Sequence, residues 1–389
     1  MNIFKRIIKY FLIFIIFIVA FPYLICPIYK FPEPTVFTGD KIYNPYEGMD
    51  STHWHKGNFH VHSRMLFGLT NGRNSGTDKI IETYKKFGFD IIGISDYMHM
   101  NSESAVPLYE HGYGVIKDHF IILGAKKVNW FEILLFQNIN HHQFMINMMK
   151  NDDNIIAIAH PSMERVHEPG DFRYLTNYDL IEILRYDRVM TEYLDSALSN
   201  GHKTFLLGDD DGHDINNSGE VAQCYNILNC DTLTKENILS SLKKGKSFGV
   251  RTIAEYPDFE SKIADAKKIP VIENISLNGQ NISLRINTKA KEIRFLGQNG
   301  ITKKIISDSV SGNYDLKPED TYIRTEIVFD KVKFYLNPFF RYNGSLENKM
   351  AEIDFWKTLL FRVIVAAAIC FTVIFLYKKR NRRKKKLPA

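Results

Sequence analysis

An uncharged apolar segment stands near each end of the chain, and this pairing limits the fold more than any other feature. Tyr10 to Ile28 holds 19 residues without a charge, mostly Phe, Ile, Leu and Val, preceded by Lys5, Arg6 and Lys9. At about 1.5 Å per residue it nearly spans a hydrocarbon core. No small-x-small cleavage site follows it, so it reads as a retained anchor over 1–29, bent near Pro22 and Pro27, rather than a removed signal peptide. The second segment runs from Thr358 to Tyr377, with Arg362 near its start, where a long side chain reaches the interface. It gives a membrane helix over 356–377, followed by a basic tail over 378–389 that begins Lys378-Lys379-Arg380. Basic flanks mark the cytoplasmic side. The expectation is a two-pass membrane protein with both termini cytoplasmic and the intervening body on the other side.

Charge has to be read with that topology in mind. The 389-residue chain carries a net charge of +6, yet 13 of its Lys and Arg lie in residues 1–9 and 357–389, where no Asp or Glu occurs. The body between is therefore acidic, at −7. A nucleic-acid-binding body loses its electrostatic argument. Cysteine adds little: Cys224 and Cys230, if on one extended strand, sit about 20 Å apart and cannot bond to each other.

The body divides by histidine. All 13 fall between His53 and His213, and histidine is the commonest metal ligand near neutral pH. In that window short apolar runs alternate with helix-like stretches. Strands are expected at Asn58–His62, Asp90–Ser95, Phe120–Ala125, Ile155–His160, Leu180–Leu184, Thr204–Gly208 and Tyr225–Leu228. Helices are expected at Thr77–Phe87, Asn140–Lys150, Val189–Asn200 and Thr234–Lys244, several closed by glycine. Such alternation predicts a largely parallel sheet or barrel. After a linker near Tyr256–Lys268, short alternating strands with Asn-Gly-type turns predict a small β-sandwich over 269–345. The histidine-bearing domain is expected over 52–255, behind a linker at 30–51.

Several groups in the histidine part carry chemistry. His60 and His62 stand at i, i+2, which on a strand places both on one face and lets them share an ion. Asp96-Tyr97 ends a buried strand. Pro107-Leu-Tyr-Glu110 is followed by His119, His160-Pro161 ends an apolar strand, and Asp209-Asp-Asp211-Gly-His213 is an acidic run with Asp-x-His. Each alone has a bland explanation as a surface pair, a loop cap, a core histidine or a solvated turn. Together they place imidazoles and carboxylates at strand C-termini, where α/β barrels build active sites. Mixed donors of this kind suit Zn²⁺, Mn²⁺ or Fe, and one carboxylate can bridge two ions.

The order His-x-His, strand-Ser-Asp, Pro-x-x-Glu, His, His-Pro, Asp-x-His resembles the PHP domain, the polymerase-and-histidinol-phosphatase type of metallohydrolase, over roughly residues 52–250. The following β-sandwich, with Tyr335-Leu-Asn-Pro338, resembles the CehA-like members. The resemblance implies an α/β fold built on a distorted seven-stranded (β/α) barrel, flanked here by the two membrane helices. It implies a metal-dependent phosphoesterase in which His60, His62, Glu110 and Asp211 hold one divalent ion and Glu110, His119 and His160 hold a second. Two departures bear on a third ion. Tyr97 stands where many members have histidine, and Ser63-Arg-Met-Leu-Phe-Gly-Leu69 lacks the aspartate that many carry after His-x-His.

His213 and His99 are the expected proton donors to a leaving oxygen. Asp96 and Tyr97 complete the catalytic set, Tyr97 as a hydrogen-bond donor to substrate. Arg165 and Arg173 are candidates to clamp a phosphate, with ordinary surface arginines as the alternative. The leading expectation is an enzyme acting on a small phosphoester outside the cytoplasm. The competing ones are a hydrolase of a carbon ester, amide or carbamate, and a metal-stabilised binding or sensor module without turnover.

Overall fold

The computed structural model describes residues 3–64, 72–73, 75–116 and 118–384. Most of the segment after His62 that bears on a third ion, and the last five residues of the basic tail, lie outside this range.

The apolar ends are the helices Ile3–Ile25 and Phe355–Lys384, long and apolar enough to cross a membrane over Ile3–Ile25 and Phe355–Lys379. Their body-side ends are tied together. Strand Tyr29–Lys30 pairs antiparallel with Glu352–Ile353, and the Ile28 amide donates to Thr358 Oγ1 at 3.0 Å. Arg362 donates to the Ile25 carbonyl at 2.9 Å, supplying a partner to a carbonyl that a helix terminus leaves open. The chain thus enters and leaves the body at one place.

Among the described residues, two large hydrogen-bonded sheets stand beside the Tyr29–Lys30 and Glu352–Ile353 pair. In the first, Leu108–His111, Phe120–Leu123, Ile155–Ile158, Leu180–Arg185 and Phe205–Gly208 lie side by side in that order. In the second, Ile91–Ile92, Trp54–Asn58, Cys224–Asn229 and Ser247–Thr252 continue into Val332–Leu336, Tyr322–Val328, Asn281–Leu296 and Ile272–Asn278. Single parallel bridges, Val61 to Gly212 and Tyr97 to Glu110, join strand ends of one sheet to strand ends of the other.

The apolar runs become strands because their side chains can be buried on both faces. Ile155–Ile158 and Leu180–Arg185 are buried throughout. The largely parallel arrangement expected from the sequence holds only in part. Ile155–Ile158, Leu180–Arg185 and Phe205–Gly208 are mutually parallel, but Leu108–His111, Phe120–Leu123 and Ile155–Ile158 alternate in direction. Residues 112–119 are too few for a crossover, which takes a dozen or more, so the chain must turn back on itself there.

Four helices lie close to where the sequence places them: Thr77–Lys86, Ile139–Met149, Thr191–Ser199 and Lys235–Lys243. Asn138 and Thr234 cap two of them through side-chain oxygens. Gly201 and Gly245, at φ +77° and +67°, follow two helix ends in the left-handed region that glycine adopts without strain. The 256–268 stretch is no simple linker. Asp258 caps a helix, Phe259–Ala266, whose buried Lys262 donates to the Ser218 and Val221 carbonyls.

Within Ser247–Thr252, Phe248 to Thr252 pair residue for residue with Val332–Leu336, which makes the C-terminal strands an extension of the second sheet. A buried ion network adds to that join. Arg324 donates through Nε and Nη2 to the two oxygens of Asp195, both at 2.7 Å, and through Nη1 to Glu326 at 2.6 Å. Tyr322 also donates to Asp195, at 2.9 Å. Cys224 and Cys230 are both free thiols.

Candidate metal centre

One strand and the segments just past three others converge on one buried cluster. The strand Trp54–Asn58 ends before the histidine pair, so His60 and His62 stand on the stretch just past it, held by backbone bonds from the His62 amide to Gly212 and from Gly212 to His60. Glu110 lies on Leu108–His111, His160 two residues past Ile155–Ile158, and Asp211 three residues past Phe205–Gly208. His160 and Asp211 have φ of +26° and +48°, uncommon for residues with a Cβ, and such strain collects at functional sites.

The donor atoms form two groups that share Glu110. His60, His62, Glu110 and Asp211 each offer one atom within 4.8 Å of the others, and so do Glu110, His119 and His160. In the first group, Glu110 Oε2 lies 3.3 Å from His60 Nε2 and 3.1 Å from His62 Nε2. Asp211 Oδ1 lies 3.2 Å from His60 Nε2 and 3.1 Å from His62 Nε2. In the second, Glu110 Oε1 lies 2.7 Å from His119 Nδ1 and 3.2 Å from His160 Nε2.

The separations of 3.1–3.3 Å fit metal ligation, and the 2.7 Å between Glu110 and His119 is tighter than ligands of one ion keep. Donors bound at about 2.1 Å with angles between octahedral and tetrahedral lie about 3.0–3.4 Å apart. Angle argues the same way at three atoms, while His62 Nε2 and His160 Nε2 make hydrogen bonds to Asp211 and Glu110. His60 Nε2, His119 Nδ1 and Glu110 Oε2 are buried and close to opposite charges, yet none has an aligned hydrogen-bond partner among the described residues. Buried polar atoms left so are rare, and an ion between them would satisfy all three. The donor set, imidazole with carboxylate, is the one that borderline divalent ions accept.

Electrostatics prepare the carboxylates. Burial alone would push Glu110 up, but the imidazoles of His119, His60 and His160 outweigh it and hold Glu110 well below the usual carboxylate range. Asp211 is likewise held low against its burial, by His60, His213 and His62. Both are ionised at neutral pH, as ligation requires.

A surrounding layer orients the donors. Glu182 accepts from His60 Nδ1 at 2.8 Å through one oxygen and from the His160 amide at 2.7 Å through the other. Carboxylates that fix the far nitrogen of a ligating histidine recur at metal sites. Arg185 Nε donates to Asp211 Oδ2 at 2.6 Å. The acidic run 209–211 is not a solvated turn, because each aspartate has its own task. Asp209 accepts from the Phe59 amide at 2.6 Å, and Asp210 accepts from Tyr84 and from the amides of Ala222, Gln223 and Cys224.

The other residues singled out by sequence are placed variously. The His213 ring stacks on His62 at 4.4 Å, with Nε2 3.2 Å from Asp211, and is more exposed than the other imidazoles of the cluster. Tyr97 packs on the same ring, 4.5 Å from His62 at 16°, and its centroid lies 6.5 Å from that of His213. Burial, then Glu110, pushes its phenol far above the ordinary value, so it stays a neutral hydrogen-bond donor. Asp96 is spent on structure: its oxygens accept from the Ser63 amide and hydroxyl at 2.6 Å and from Asn101 at 3.3 Å, which braces the segment after His62. His99 stands half-buried in the turn after Tyr97, outside the donor groups. Arg165 is exposed on the loop after His160. Arg173 lines a separate polar cavity with Asp195 and Arg324.

Sequence reasoning passed over Glu182 and Arg185, although a Glu inside the apolar run Leu180-Ile-Glu-Ile-Leu was a signal, since buried charges need partners. It also passed over a second buried set, in which His142 and His167 bond the two oxygens of Asp118 at 2.7 and 2.8 Å and fasten helix Ile139–Met149 to the His119 segment.

No family model matches the chain, and no curated protein matches it. Among solved structures, a two-domain protein from Bacteroides vulgatus containing a predicted PHP-like metal-dependent phosphoesterase is similar over 82% of this chain and 92% of that one, at 13% identity and a TM-score of 0.41. PsfC from Pseudomonas syringae is similar over 49% of this chain and 90% of that one, at 10% identity and a TM-score of 0.34. Both scores lie below one half, where a shared fold does not follow.

Proposed function

We propose that the chain is a membrane-anchored hydrolase of phosphoesters that works with two divalent ions. His60, His62, Glu110 and Asp211 would hold one, and Glu110, His119 and His160 the other. The observation that carries the reading is Glu110 itself: its two oxygens face two separate donor groups, as a bridging carboxylate must. The two sheet-joining bridges support the barrel reading. Trp54–Asn58, Ile91–Ile92, Leu108–His111, Phe120–Leu123, Ile155–Ile158, Leu180–Arg185 and Phe205–Gly208 follow one another around a ring that the bridges complete.

When bound, such ions neutralise charge on phosphate oxygens and provide a nucleophile at neutral pH. The chain's own residues do the rest. Glu182 keeps His60 in one tautomer, and Arg185 keeps Asp211 turned inward. His213, at the accessible edge, gives the leaving oxygen its proton, and Tyr97 donates a hydrogen bond to the substrate. Arg185 and Arg188 are already paired, Arg185 with Asp211 and Asp187 and Arg188 with Asp187, so the preference for an anionic substrate rests on the ions.

The test is a panel of phosphate esters and carboxyl esters given to full-length protein in detergent, with metal content measured on the same sample. Turnover of phosphate esters alone is expected. Turnover of carboxyl esters alone would replace the phosphoesterase with a carbon-ester hydrolase, and no turnover at full metal loading would leave a binding module.

We further propose that both termini face the cytoplasm and the body the opposite side. A membrane-impermeant maleimide should label Val310→Cys, an exposed position on Thr302–Asp315, in intact cells. Labelling only after lysis would reverse the orientation.

A further inference from the structure

Two loops at the rim of the metal centre carry large apolar side chains that the body does not cover. Phe136 is 82% exposed, Val115 74% and Trp130 63%, with Tyr113 and Leu135 also exposed. They form one patch. The Val115 amide donates to the Leu134 carbonyl at 2.8 Å, and the Tyr113 hydroxyl donates to the Trp130 carbonyl at 2.5 Å. Scattered exposed apolar residues need no explanation, but a contiguous set marks an interaction surface.

The patch adjoins the membrane helix. The Leu135 amide donates to the Tyr23 hydroxyl at 3.0 Å, and Tyr23 lies edge-on to His141 at 5.1 Å. Tyr23 belongs to the last turn of helix Ile3–Ile25, whose preceding turns are apolar and exposed. Leu135 is therefore at the depth where that helix leaves the hydrocarbon. Trp, Tyr and Phe are the residues enriched at this depth. The patch also adjoins the site. The loop holding Tyr113 and Val115 leads directly from Glu110 to His119. Its first residue, Gly112, has φ +137°, and a Cβ there would meet the His119 ring at 2.2 Å.

We propose that these loops rest in the interface of the bilayer that holds the two helices. The phosphoester acted on is then carried by an amphiphile of that same membrane. The substrate half of this proposal rests on the phosphoesterase reading; the membrane contact does not.

The experiment uses the full chain in phosphatidylcholine vesicles. A nitroxide on Phe136→Cys, in a Cys370→Ser background, should be relaxed more by oxygen than by an aqueous nickel chelate. Trp130→Ser/Phe136→Ser should hydrolyse vesicle-borne phosphatidic acid about tenfold more slowly, with p-nitrophenyl phosphate turnover within about twofold of the parent. A label relaxed mainly by the aqueous chelate overturns the proposal, and so does dipolar broadening between labels, which would put a second copy on the patch. Equal losses on both esters would make the loops merely structural. Hydrolysis of the soluble ester alone would remove the amphiphile while leaving the phosphoesterase. Turnover of neither ester by metal-loaded protein would remove the phosphoesterase itself.

Discussion

Glu110→Gln is expected to lower phosphoester turnover by on the order of a thousandfold and to take the metal content from about two ions per chain to below one. The change is nearly isosteric, but it removes a negative charge that faces two donor groups at once. An amide oxygen is a weaker ligand, and the amide nitrogen is none, so at least one of the two groups loses its anionic member. His213→Ala makes the contrast. It removes a proton donor at the accessible edge and should cost about a hundredfold in turnover while metal content stays near two. Elemental analysis and steady-state kinetics on the same preparations check both. Full metal content and full activity in Glu110→Gln would take this residue out of the site.

Asp195→Ala is expected to destabilise the protein by about 3–5 kcal/mol, the usual cost of breaking a buried ion pair. Arg324 is 3% exposed and would keep only Glu326, while the Tyr322 hydroxyl would lose its acceptor. The loss falls on the contact between helix Thr191–Ser199 and strand Tyr322–Val328, far along the chain from each other. Denaturant unfolding of the detergent-solubilised chain measures it. Arg285→Ala, which breaks an exposed pair with Glu273, should leave the midpoint unchanged. A comparable shift in both variants would show that the Arg324 network adds nothing beyond surface charge.

What the sequence made legible follows from how each element is stabilised. Ile155–Ile158 and Phe205–Gly208 are apolar runs that bury themselves wherever the chain goes, so their positions show in the residues alone. Leu108–His111 does not show, because Glu110 and His111 break the apolar pattern and are buried only through partners from distant segments. Ser247–Thr252 was equally hidden, as its burial comes from pairing with Cys224–Asn229 on one side and Val332–Leu336 on the other. The direction of Phe120–Leu123 was misread because alternation of strands and helices says nothing about the short turn at 112–119. At the site, donors placed at strand ends were visible as motifs. Glu182 and the Asp118, His142 and His167 set were not, since residues 24 to 122 positions apart meet only in three dimensions. Asp96, expected in the catalytic set, is a carboxylate at a strand end whose oxygens are taken up by Ser63.

The central claim is that one carboxylate joins two ions, and manganese tests it most directly. Full-length protein freed of metal and loaded with Mn²⁺ should bind about two ions per chain. Its low-temperature paramagnetic resonance spectrum should show the many closely spaced lines of an exchange-coupled pair, and Glu110→Gln should abolish that pattern. A six-line spectrum of isolated Mn²⁺ at full loading, unchanged by Glu110→Gln, would contradict the shared centre.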